Sequence, residues 1–236
     1  MAPSFRMADT YRAARLRKAV TAEVEKRVLR AIAARLPAWV GSDHLTALGV
    51  LGAIGVGAGY ALSVRSPHWL WLASAMLVLN WLGDSLDGTL ARVRGTERPR
   101  YGYYLDHGVD ALSTTVIGAG IGLSPFVDLR AALALVVLYL ILSINVYLES
   151  SVYGVFRMDY GVVGPTEVRI ILVAVNALLV WLVLGAGLSA ARLSFYGTLV
   201  IAGLAAAMLG LFLFRFVRNL RDLSRQEPLK RGKPRE

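Results

Sequence analysis

From His44 onward the chain alternates long apolar runs with short polar breaks, and each run approaches the roughly 20 residues a helix needs to cross a bilayer. The pattern predicts six transmembrane helices, over 44–63, 69–91, 107–126, 131–154, 168–188 and 195–216. Upstream, Leu16, Val20, Val24, Val28, Leu29, Ile32 and Leu36 recur at helical spacing among arginines and lysines, stopping at Pro37. Such an amphipathic helix lies in the membrane interface with its stripe in the lipid, or turns the stripe onto the protein's own cytoplasmic face. The basic residues there follow the helical pattern rather than preceding a short apolar core, so no secretory signal is expected. The last stretch, 219–236, is basic and broken by Pro228 and Pro234, which predicts a disordered cytoplasmic tail. The expected protein is an all-α integral membrane protein: an interfacial helix within 1–42, a six-helix membrane domain over 43–218, and the tail.

Composition agrees and narrows the chemistry. Hydrophobic residues make up 56% of the 236 positions, charged residues 18%, and the mean hydropathy is +0.54. That leaves too little polar surface for a water-soluble globule. The absence of cysteine removes thiolate catalysis and sulfur-ligated metals. A net charge of +10 suits either nucleic acid or an anionic membrane face, and its placement decides between them. With six spans, 23 of the 26 basic residues fall on one side and only Arg65, Arg130 and Arg192 on the other. The positive-inside rule then places both termini and the 92–106 loop in the cytoplasm of a multi-pass cell-membrane protein. The basic excess is a matter of topology and anionic lipid, and no nucleic-acid partner is expected.

Charges at membrane depth are costly and point to function. The second span runs from Trp69 to Gly83 without a charge and then reads Asp84-Ser-Leu-Asp87-Gly88-Thr-Leu-Ala91-Arg92. Asp84, Asp87, Gly88 and Ala91 fall at i, i+3, i+4 and i+7, one face of a helix. The third span opens with Asp106-His107-Gly108-Val109-Asp110, where Asp106 and Asp110 again share a face. One span descends to the cytoplasm and the next rises from it, so four carboxylates meet at one depth. Without cations they repel strongly. An all-oxygen set of this kind suits a hard ion, Mg²⁺ or Mn²⁺, and two such ions can clamp a displacement at phosphorus. Gly88 and Ala91 leave room for a ligand at the helix backbone, and Arg92, with Arg94, Arg98 and Arg100 nearby, offers guanidinium groups to phosphate.

These residues resemble the signature of the CDP-alcohol phosphotransferase (CDP-alcohol phosphatidyltransferase) family of membrane enzymes, D-x2-D-G-x2-A-R followed by G-x3-D-x3-D. Asp84, Asp87, Gly88, Ala91, Arg92, Gly102, Asp106 and Asp110 match all eight fixed positions. Nine residues, one more than in the pattern, separate Arg92 from Gly102. The resemblance implies that Asp84, Asp87, Asp106 and Asp110 hold two Mg²⁺, and that Asp110 also takes the proton from the acceptor hydroxyl. It implies that Gly88, Ala91, Arg92 and Gly102 hold the cytidine diphosphate of a CDP-alcohol donor. Many members begin their first span with Pro-Asn/Asp-x-x-Thr; here Ser42-Asp43-His44-Leu45-Thr46 lacks the proline but keeps Asp43 and Thr46 for the nucleotide. The implied reaction is attack of a second alcohol, lipid or polar, on the phosphorus bearing the first, with release of CMP, in phospholipid biosynthesis.

Asp106-His107-Gly108, Tyr153-Gly154 and Thr166-Glu167-Val168 are similar to stretches of the branch that transfers phosphocholine or phosphoethanolamine to diacylglycerol. That branch is slightly favoured over phosphatidyl transfer from CDP-diacylglycerol to a polar alcohol. His107 is then a candidate for proton transfer, or an interface histidine paired with a carboxylate. Glu149, after a charge-free run over 131–148, is expected in the same cavity, with Asn145 one turn earlier. Asn80 is a partner of the acids or an interhelical hydrogen bond. Gly118 and Gly122 permit close packing, and a homodimer is expected. The rival from another class is a divalent-cation transporter, whose acids belong near mid-membrane on several helices of repeated halves.

Overall fold

The structure is a computed structural model and describes residues 22–153 and 164–227. Seven helices account for most of these residues: α1 (Ala22–Ala33), α2 (Ser42–Leu62), α3 (Trp69–Arg94), α4 (Pro99–Leu123), α5 (Leu129–Tyr153), α6 (Pro165–Leu184) and α7 (Ala190–Gln226). Local chemistry sets their ends. Gly41 is extended before α2, and its N–H donates to His44 Nδ1 at 3.0 Å. Gly95, at φ 65°, closes α3 in the left-handed region, and Thr96 N–H then bonds back to the Ala91 carbonyl at 3.0 Å. Pro99 opens α4 and Pro165 opens α6, where a missing N–H costs nothing.

The six apolar runs become α2 to α7, and the two largest boundary shifts are at the start of the third and the end of the last. The third begins at Pro99 rather than 107, because the Tyr-rich stretch before Asp106 continues the helix outward from the apolar run. The last continues to Gln226, so residues 219–226 are helical and not a disordered tail; no glycine or proline falls between Gly210 and Pro228. The remainder of the tail, residues 1–21, and Gly154 lie outside the described residues.

Four of the helices, α2, α5, α6 and α7, are long and apolar enough to cross a membrane. The other two long ones, α3 and α4, carry the acidic motif. Large apolar side chains such as Leu51, Ile144, Leu148, Trp181 and Phe195 are more than half exposed, as a lipid-facing surface requires.

Close packing centres on α2. A Cβ at Gly52 would stand 2.5 Å from Asn80 N of α3, and one at Gly83 would stand 2.4 Å from Gly49 N. On the other side of α2, a Cβ at Gly120 of α4 would lie 2.4 Å from the Gly57 Cα. Helix α2 is thus a slender spacer touched by both α3 and α4. Beyond this pair, α6 packs on α3, α5 on α4, and α7 on α5. A buried polar chain ties three helices: the Tyr60 hydroxyl donates to Asn176 Oδ1 at 2.9 Å, and Asn176 Nδ2 donates to Ser74 Oγ at 3.1 Å.

Helix α1 turns its apolar stripe onto the protein. Leu29 and Ala33 are buried against Leu45, Leu86 and Leu90, with Ile32 and Leu36 alongside. Val28 remains exposed.

Candidate active site

The site forms at one end of the bundle, where α3 ends and α4 begins. Oxygens of Asp84, Asp106 and Asp110 lie within 4.8 Å of one another. Asp87 lines the same cleft, together with Thr46, Gly49, Asn80, Val109 and Ser113. Its carboxylate stands outside the close trio, engaged elsewhere: Oδ2 accepts from the Thr46 hydroxyl at 2.7 Å and Oδ1 from Gly88 N–H. Ser42 donates to the Asp87 carbonyl at 3.0 Å, tying the first turn of α2 to this turn of α3.

The acids are compensated by a residue from a third helix. Arg169, in the first turns of α6, donates from Nη2 to Asp84 Oδ2 at 2.9 Å and from Nε to Asn80 Oδ1 at 3.0 Å. Asn80 in turn donates to the Gly49 carbonyl at 2.9 Å, so its amide is committed in both directions. In the sequence Arg169 counts only as one of the 23 basic residues that set topology. The available signal was its position inside an apolar run, between Val168 and Ile170.

The donor set fits a hard cation. It consists of oxygens only, and the Ser113 hydroxyl, one turn beyond Asp110, is buried with no hydrogen-bond partner beside the carboxylates. A buried hydroxyl without a partner is costly unless an ion or water completes it. The enclosed space is about 10 Å³, room for an ion or a water but not for a nucleotide.

The remaining candidates are not among the residues that line the cleft. Gly88 has no side chain beneath the Arg92 guanidinium, whose Nη1 would stand 3.3 Å from a Cβ there. Arg92 Nη2 donates to the Thr89 hydroxyl at 3.1 Å. Ala91 is half-buried on the same helix, and Gly102 faces open space. Asp43 accepts from Arg98 Nη2 at 2.6 and 2.8 Å, and Arg98 lies 3.9 Å over the Tyr101 ring. The hydrogen bond to Asp43 raises the Arg98 pKa above its ordinary value. His107 sits between Tyr103 and Tyr147, with Nδ1 2.7 Å from the Tyr103 carbonyl and 3.9 Å from Asp106 Oδ2.

Two expected neighbours of the cleft are elsewhere. Arg94 binds the backbone carbonyls of Leu36, Pro37 and Val40, pinning the linker between α1 and α2. Glu149 is not in the carboxylate cavity: it faces α7, where Arg215 Nε donates to Oε1 at 3.1 Å and Arg215 Nη2 pairs with Oε2. Asn145 and Asn219 each donate to Oε1 at 2.6 Å.

The class of site is a carboxylate cluster at the end of a helical membrane bundle, suited to binding a cation against phosphate. The chain matches the family model for CDP-alcohol phosphatidyltransferase over residues 39–215 and belongs to that family. No curated protein matches the chain. The family comprises transferases that pass a phosphatidyl-type group from a CDP-alcohol to a second alcohol in phospholipid synthesis, typically with a divalent cation.

Proposed function

We propose that the chain is an Mg²⁺-dependent CDP-alcohol phosphotransferase working at the cytoplasmic face of the cell membrane, with α2 to α7 all crossing the bilayer. The observation that carries this is the convergence of Asp84, Asp106 and Asp110, with Asp87 beside them, from two helices of the matched region. Asp84, Asp87, Asp106 and Asp110 hold the ions, two Mg²⁺ or the similar Mn²⁺. Bound there, they neutralise the donor's diphosphate and stabilise charge at the phosphorus under attack.

The protein's own groups do the rest. Asp43, Thr46, Gly88, Ala91, Arg92 and Gly102 receive the CDP moiety at the mouth of the cleft, since the enclosed space is too small for it. The acceptor hydroxyl forms a bond to the phosphorus carrying the donor's alcohol. The bridging P–O bond breaks, and CMP leaves with its electron pair. Asp110 takes the hydroxyl proton as the new bond forms, because a carboxylate is too weak a base to remove it beforehand. His107, beside Asp106, carries the proton onward. Positioning and charge stabilisation supply most of the rate, as in other phosphoryl transfers.

Transfer of an amino-alcohol phosphate to diacylglycerol is the favoured branch. Of the arginines near the site, Arg94 is committed to backbone carbonyls, Arg98 to Asp43 and Arg169 to Asp84, which supports a neutral acceptor over a phosphorylated one. The family's own description favours the second reading, phosphatidyl transfer from CDP-diacylglycerol to a polar alcohol. A homodimer is part of the proposal. The test is CMP release by the purified protein with Mg²⁺ and a panel of CDP-alcohols and acceptors. Release that ceases on chelation is expected; turnover undiminished by exhaustive chelation, or no CMP from any donor, refutes the reading. Product from CDP-diacylglycerol alone refutes only the amino-alcohol branch.

A further inference from the structure

Helix α1 is basic, yet it directs one acid inward. Glu25 Oε1 accepts from the Trp81 indole Nε1 at 3.1 Å and from the Thr166 hydroxyl at 3.2 Å, with the Ser85 hydroxyl at 3.5 Å, the outer limit of such a bond. Trp81 and Ser85 are one turn apart on α3 and flank Asp84 in sequence. Thr166 lies one turn before Arg169 on α6. A single carboxylate oxygen therefore bridges α3 and α6 at the level where Arg169 reaches Asn80 and Asp84. Leu29 and Ala33, one and two turns further along α1, hold the helix in register against Leu86 and Leu90.

We infer that Glu25 is a positioning residue for the carboxylate site, fixing the first turn of α6 against α3 so that Arg169 orients Asp84. The inference rests on the proposed function, because it assigns Asp84 to the metal. An arginine bound to a ligating carboxylate sets which oxygen faces the ion. Outer partners of this kind change metal affinity by about tenfold or more when lost. Glu25 acts one step further out, through the spacing of two helices. It also gives α1 a purpose beyond covering apolar surface: displacing this helix would loosen the grip on Asp84.

The experiment compares full-length wild type with Glu25→Leu, Glu25→Gln and Thr166→Val. Two quantities are read: the Mg²⁺ concentration giving half of the metal's thermal stabilisation, and kcat and KM for CMP release at several Mg²⁺ concentrations. Leucine fills the site but accepts no hydrogen bond, whereas glutamine keeps the accepting oxygen. Valine retains threonine's shape without the hydroxyl, so it remains informative if the leucine variant does not fold. Glu25→Leu and Thr166→Val are expected to raise the Mg²⁺ midpoint about tenfold, with kcat recovering at saturating Mg²⁺. Glu25→Gln is expected within about twofold of wild type, since the bridge survives. Unchanged midpoints in Glu25→Leu and Thr166→Val, or a loss in Glu25→Gln equal to that in Glu25→Leu, would overturn the inference alone. A wild-type protein with neither Mg²⁺ stabilisation nor CMP release would overturn the proposed function, and this inference with it.

Discussion

The Glu149–Arg215 pair offers a stability test that is independent of catalysis. Both side chains are nearly sequestered, at 13% and 11% exposure, and they join α5 to α7. Replacing Arg215 by methionine keeps the volume of the aliphatic stem but leaves a buried carboxylate facing no cation. Removing one partner of a buried pair costs about 3–5 kcal/mol, because the remaining charge stays desolvated. At roughly 2–4 °C per kcal/mol for a domain of this size, the unfolding midpoint should fall by roughly 10 °C.

The second substitution makes the reasoning refutable. Asn145 and Asn219 both donate to Glu149 Oε1, while Arg215 Nη2 pairs with Oε2. Glutamine at 149 keeps an oxygen for the two asparagines and removes the charge stranded by Arg215→Met. The double variant Glu149→Gln/Arg215→Met should therefore be more stable than Arg215→Met alone, recovering all but about 1–2 kcal/mol. The assay is thermal unfolding in detergent followed by size-exclusion chromatography. A double variant as unstable as the sum of the two singles would show that the pair is not coupled. Arg215→Met unfolding within about 2 °C of wild type would show that its charge is not desolvated.

The remaining predictions concern chemistry and orientation. Asp87→Ala should lower CMP release about a hundredfold or more while the protein still inserts and elutes as wild type, since Asp87 faces the cleft and its one side-chain partner is Thr46; normal turnover in that variant would remove Asp87 from the site. Cysteines placed at the exposed positions Ser189 and Thr96 should label from opposite sides with an impermeant thiol reagent, Ser189 from outside and Thr96 only after the cells are opened. The reverse pattern would invert the proposed orientation.

Much of the architecture was legible because two simple signals survive without knowledge of contacts. Apolar runs of membrane length gave α2 to α7, and period-3.6 spacing put Asp84 with Asp87 and Asp106 with Asp110. What remained hidden depends on register between helices. Counting basic residues by side treats every arginine alike, yet Arg169 balances Asp84, Arg215 balances Glu149, and Arg94 caps a chain of carbonyls. The same blindness put Glu149 in the wrong cavity: its depth in α5 was apparent, but not that α7 would meet it with Arg215. Glu25 carries no signal in the sequence, since only the fold brings Trp81 and Thr166 to it. The tail boundary failed for a different reason. Charge and a nearby proline suggested disorder, but helix propensity persists through Arg225 because Pro228 is the first residue that cannot continue the helix.

The placement of glycines explains why the acids can meet at all. Four carboxylates on α3 and α4 must share one end of the bundle, yet these two helices are separated by α2. A helix with ordinary side chains on both faces would keep its neighbours 8–10 Å from its axis on each side. In α2, Gly49 and Gly52 face α3, and Gly57 faces α4. Gly83 on α3 and Gly120 on α4 return the contact, so backbone meets backbone on both sides. The spacer is therefore thin against α3 at the level of the acids, and thin against α4 about three turns further along. It is also polar at the acid level, with the Thr46 hydroxyl donating to Asp87 and the Gly49 carbonyl accepting from Asn80. The glycine pattern of α2 and the aspartate pattern of α3 and α4 are thus two parts of one requirement. A side chain on α2 at Gly49 would press on the Asp84 backbone, 3.3 Å from its Cβ, and would disturb the proposed metal site before it disturbed the apolar core.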